Sequence, residues 1–82
     1  MELPDFQFIM DNCVKAMLRH YKQKQDSWET TSDEWFVNRI AKQLENFPEG
    51  HIGHDLVEKR KRLTNIINYA AMMYHNIGIE NE

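Results

Sequence analysis

Cysteine is nearly absent from this chain: Cys13 stands alone among 82 residues. No intrachain disulfide can form, and a four-cysteine zinc site is excluded. Glycine and proline are scarce, at three and two residues, which argues against a fibrous or disordered composition. No apolar run approaches the roughly 18 residues that a membrane span needs. The opening MELPDF puts an acid at position 2 and no basic stretch ahead of an apolar run. No secretory signal is read there, and cytoplasmic residence is the expectation. An excess of positive charge is missing too. Ten basic residues face thirteen acidic ones, for a net charge of −3, so no global field directs the chain to nucleic acid or anionic lipid.

What is present is a helical pattern. The composition, 41% hydrophobic and 28% charged, is that of one globular domain. A domain this short buries a modest core, and self-association into a dimer or higher homo-oligomer is its expected support. The stretch Glu58 to Tyr74 organises the reading. Leu63, Ile66, Ile67, Ala70 and Tyr74 recur at spacings of three and four, which marks one helix face as core. Arg62, Asn65 and Tyr69 form a second, polar line beside it. Helical bundles build ligand sites from such a line between facing helices.

In chain order, a first helix is expected from Pro4–Asp5 to near Lys24. Phe6, Met10, Cys13, Val14, Met17 and Tyr21 form its apolar stripe, widened by Phe8, Ile9 and Leu18. Cys13 inside that stripe reads as a small buried hydrophobe. Trp28 sits alone in a polar stretch and is either a plug over the core or a stacking surface for a flat ligand. Thr31 and Glu34 have capping-box spacing and open a second helix. Phe36, Ile40, Leu44 and Phe47 are its apolar line. Arg39, Lys42, Gln43 and Asn46 occupy the opposite edge, a charged face that a short helix ordinarily just solvates. Pro48 is expected to end this helix, with Gly50 and Gly53 holding a turn open. His51, His54 and Asp55 in that turn lack a fourth ligand, which makes a metal site a weak reading. Asp55 with Glu58 more simply caps a third helix over residues 56–76, with Gly78 as its stop. The fold class is all-α: three helices, the second and third an antiparallel hairpin.

The run KQKQDSW, the capped helix SDEWFVNRIAKQLENF, the glycine-bearing turn and KRLTNIINYAAMMY together resemble the MazG-like all-α nucleoside triphosphate pyrophosphohydrolases, in their short phage-type form. The similarity spans roughly residues 15–76, and NYAAMMY is its most specific phrase. It implies a helical hairpin completed into a four-helix bundle by oligomerisation. That family holds Mg²⁺ on an E-E-x-x-E set and an E-x-x-D pair. At the matching positions this chain reads Lys42, Gln43, Asn46, Arg62 and Asn65. Hard Mg²⁺ needs carboxylate oxygens, so hydrolysis by that route is not expected and no metal or cofactor is assigned.

The resemblance implies instead a phosphorylated-nucleotide site without turnover. Lys42 and Arg62 would supply fixed positive charge, and Arg39 lies on the same edge of the second helix. Asn65 completes the ladder. Asn68 and Tyr69 match the family's N-Y phrase, Trp28 its base-pocket aromatic, and Lys22 and Lys24 add charge at the mouth. A phage protein of this kind would act as a sponge for a cyclic-nucleotide immune signal. The alternative is a protein-interaction module presenting Trp28, Trp35, Met72 and Met73; a second alternative is residual pyrophosphohydrolase activity. Nucleic-acid binding through Lys59, Arg60, Lys61 and Arg62 is disfavoured, because four consecutive residues wrap around a helix.

Overall fold

A computed structural model describes residues 2–21 and 27–80, and the described residues form helices and turns with no strand. Helix α1 spans Phe6–Tyr21. Asp5 starts it: its carboxylate accepts the Phe8 N–H at 3.0 Å and sits where the helix dipole favours an anion. The expected continuation to Lys24 lies outside the described residues. A short 3-10 turn, Ser27–Thr30, follows.

Helix α2 spans Asp33–Leu44. Its N-cap is Ser32, one residue beyond the expected Thr31, and the Ser32 hydroxyl accepts the Trp35 N–H at 3.4 Å. The serine takes extended backbone while Asp33 and Glu34 fill the first turn, the arrangement that satisfies orphan N–H groups. The helix stops before Pro48. Asn46 turns into the left-handed region at φ 51° and breaks the ladder ahead of the proline. At Gly50 a Cβ would meet the Asp55 carboxylate, which would have to shift to admit a larger residue where the chain doubles back.

Helix α3 spans Gly53–Glu80 and is 28 residues long. It begins earlier than expected and runs through Gly78. A glycine commonly ends a helix by adopting positive φ, and the described glycine with positive φ is Gly53, at the start of α3. Mid-helix, Gly78 costs about 1 kcal/mol relative to alanine and the chain continues.

This long helix is the spine. Helix α1, the 3-10 turn and α2 each pack on α3. The antiparallel α2–α3 hairpin is present. Tyr69 packs edge-on against Trp35 with centroids 5.9 Å apart, and Asn65 reaches Gln43. Among the described residues the buried set is small: Cys13, Phe36 and Met72, with Asn68 and Asn76. Asn68 donates to the Cys13 carbonyl at 3.0 Å, tying α3 to α1 by a buried bond where a mismatch would strand two polar groups. Burial also pushes the Cys13 thiol above its ordinary pKa, because a thiolate loses its hydration there.

Two expected core faces are open. On α1, Phe6, Met10, Val14 and Leu18 are exposed, and among the described side chains of that stripe Cys13 alone is fully buried. On α3, Leu63, Ala70 and Tyr74 face outward, while Asn65, Tyr69, Met72 and Asn76 turn inward or lie half-buried. The polar ladder packs, while Leu63, Ala70 and Tyr74 of the apolar stripe are exposed and Ile66 and Ile67 are half-buried. At about 100° per residue, α2 occupies one side of α3 and α1 a second, which leaves the third without cover. No described helix is long and apolar enough to cross a membrane.

Candidate functional site

The ladder Arg62, Asn65, Tyr69 lies between α2 and α3, and its side chains are engaged with protein. Arg62 Nε donates to Glu58 Oε1 at 3.0 Å. Its Nη1 donates to the Gln43 carbonyl at 3.2 Å and the Glu45 carbonyl at 2.5 Å. Those carbonyls belong to the last turn and the C-cap of α2, where no intrahelical partner exists, and a cation there also meets the negative end of the dipole. Arg62 is thus a clamp on the end of the neighbouring helix. Asn65 Nδ2 donates to Gln43 Oε1 at 3.4 Å, and Tyr69 lies between the rings of Trp35 and Phe36.

The remaining expected site residues scatter. Arg39 is exposed, with its guanidinium 4.8 Å from the Trp35 ring centre. Lys42 is exposed in the last turn of α2. Asn68 is buried on the α1 side. Trp28 is half-buried, its ring 5.4 Å from that of His75, and its carbonyl accepts from Asn76 at 3.1 Å. That is the plug geometry. Lys22 and Lys24 fall outside the described residues. In the hairpin turn, His51 Nδ1 meets Lys59 Nζ at 3.2 Å and His54 pairs with Asp55; among the described residues no three His, Cys, Asp or Glu side chains gather as metal ligands.

Replacing Arg62 by methionine keeps the aliphatic stem and removes the donors. Charge-assisted bonds to otherwise orphaned groups contribute roughly 1.5–3 kcal/mol, so a loss of about 2 kcal/mol is expected in urea unfolding. Phosphate-ligand affinity should stay within about twofold, since the guanidinium faces carbonyls. If unfolding is unchanged and affinity collapses, Arg62 serves a ligand instead.

A different place gathers unneutralised positive charge. An open groove of about 510 Å³ runs between α1 and α3. From α1 it is lined by Asn12, Lys15, Ala16 and Arg19, at spacings of i, i+3, i+4 and i+7. From α3 come Val57, Arg60, Lys61 and Thr64 at the same spacings, with Asn65 at the inner end. Each helix therefore gives one face carrying two cations and one small apolar residue. Among the described residues no carboxylate lines the groove, although the chain as a whole is acidic. The basic run at 59–62 splits accordingly: Lys59 goes to His51, Arg62 to α2, and Arg60 with Lys61 to the groove. The Arg60 guanidinium also lies 5.5 Å from the ring centre of Phe8, a half-exposed aromatic beside the groove.

The α1 residues of this groove were not singled out from the sequence; the signal that could have found them is two lines at matching spacing, polar but for Ala16 and Val57. What the sequence does not state is that the two lines face one another. Comparison of the chain with family models, with curated proteins and with solved structures finds no match, so the chemistry of the site rests on its own residues.

Proposed function

We propose that this chain binds a phosphorylated nucleotide in the α1–α3 groove and holds it without turning it over. The observation that carries the reading is the convergence of Lys15, Arg19, Arg60 and Lys61 on one groove with no acid among its lining residues. Guanidinium and ammonium groups are complementary to phosphate oxygens, the first as a fork and the second as a mobile point charge. Asn12, Thr64 and Asn65 add uncharged hydrogen-bonding groups. The groove volume lies within the range of small-ligand sites, about 300–1,000 Å³. Phe8 offers a π-face at the edge, where stacking of a base contributes about 1–3 kcal/mol.

On this reading the α2–α3 hairpin is of the MazG kind, locked by Arg62, Asn65 and Gln43 where those enzymes hold metal. The nucleotide is sequestered, as a cyclic-nucleotide sponge acting in the cytoplasm would require, and the chain works as a homo-oligomer. The test is calorimetric titration of the full chain, with EDTA present, against tripolyphosphate, nucleoside triphosphates, cyclic di- and trinucleotides and an unphosphorylated nucleoside. Binding on the order of micromolar is expected for phosphorylated ligands, weakening as salt rises, with none for the nucleoside. Absence of binding across the panel, or release of pyrophosphate when Mg²⁺ is supplied, would refute it.

A further inference from the structure

The side of α3 that neither α1 nor α2 covers carries an ordered pattern. Leu56, Arg60, Leu63, Ile67, Ala70, Tyr74 and Ile77 alternate at spacings of four and three along the helix, with Arg60 at the edge where this side borders the α1–α3 groove. At about 100° per residue these positions cluster opposite Asn65, Tyr69, Met72 and Asn76. Leu56 and Leu63 are each 48% exposed, Ile77 44% and Tyr74 83%; Ala70 is exposed as well, and Ile67 is half-buried. A seam alternating four and three is the pattern by which one helix packs knobs into the holes of another. A solvated helix face has no need of it.

The dimensions of the molecule point the same way. Its accessible surface is 6960 Å², whereas a compact monomer of this mass exposes about 5,200 Å². The excess, about 1,750 Å², is larger than the roughly 800 Å² that each partner loses in a standard interface. The radius of gyration, 14.2 Å, likewise exceeds the ~12 Å of a compact chain this long.

We infer that the α3 seam is the contact surface for a second copy of this chain, the two α3 helices lying antiparallel along it. The seam holds a single charge, Arg60. A parallel pairing would set Arg60 beside its own copy, with like charges opposed. An antiparallel pairing lays it against the uncharged C-terminal half of the other seam, leaving Ile67 and Ala70 near the two-fold axis. Such a contact is isologous and closes at two. It stands whether or not the groove takes a nucleotide.

Light scattering on the full chain at roughly 100 μM, where an interface of micromolar affinity is filled, tests this. A mass twice the 9.9 kDa of the chain, or an even multiple of it, is expected. Leu63→Glu with Ile67→Glu should lower the mass by half or more, with far-UV circular dichroism retained. A monomeric native chain overturns the inference. So does a dimer that survives these changes and is lost instead with Val14→Glu and Leu18→Glu on the open side of α1. A cysteine pair gives a second reading that does not depend on the glutamate variant folding. Oxidised Ala70→Cys should form a covalent dimer, as Cys13 is buried and does not compete. Leu56→Cys should not, since its copies would lie about 36 Å apart. Equal cross-linking of both variants, or of neither, overturns the antiparallel pairing.

Discussion

Phe36→Ala is expected to lower the unfolding free energy by about 3–5 kcal/mol, the range for emptying an aromatic site inside a core. Phe36 is 0% exposed and is one of the two largest fully buried side chains, with Cys13. It meets Trp35 edge-on at 5.3 Å and Tyr69 at 6.4 Å, so its loss also removes the contacts that seat α2 on α3. A domain of this length has roughly 4–12 kcal/mol in total, which puts the variant at the edge of unfolding near room temperature. The comparison is Phe6→Ala, same residue type but 59% exposed, with an expected cost below about 1 kcal/mol. Urea unfolding followed by circular dichroism should separate the two, at one fixed protein concentration because self-association adds to apparent stability. Equal midpoints would mean that the described core is not the stabilising one.

The helices themselves were readable because their signals are local. Asp5, Ser32 and the three-and-four spacing of apolar residues each act within a turn or two. The boundaries moved where a local signal competes with a longer-range contact. Thr31 and Ser32 both fit an N-cap, and extended backbone at Ser32 decides between them. Gly78 has the composition of a stop but lacks the positive φ of one.

Which face of each helix is covered was much less legible. Periodicity locates a stripe and does not say what lies on it. In α3 the polar ladder Arg62–Asn65–Tyr69 is satisfied by α2 carbonyls, an amide and two aromatic rings, so it can pack. Reading Arg62 as a ligand group overlooked how strongly the unpaired carbonyls of a helix end attract a guanidinium. Lys15 and Arg19 escaped notice for the opposite reason. Each is unremarkable on its own helix, and only the packing of α1 on α3 sets them across from Arg60 and Lys61.

Lys15→Glu combined with Arg60→Glu should weaken binding of a triphosphate or cyclic dinucleotide by at least about 100-fold. One residue comes from each wall of the groove, so the change replaces two attractive contacts by two repulsive ones. At contact distance each unit-charge interaction is about 1 kcal/mol in bulk water and several times larger near a protein surface. A loss of 2.7 kcal/mol, which corresponds to roughly 100-fold, is therefore a lower estimate. The decisive control is Arg39→Glu with Lys42→Glu, which alters net charge by the same amount on the outer face of α2. There the long-range field changes equally while the groove does not, and affinity should fall less than about threefold at physiological salt, where the screening length is near 8 Å. Calorimetry on the two double variants side by side tells local recognition from bulk charge. Comparable losses in both would reduce the groove to one patch in a diffuse field. A larger loss in the Arg39–Lys42 pair would return the site to the α2–α3 hairpin, where the sequence first pointed.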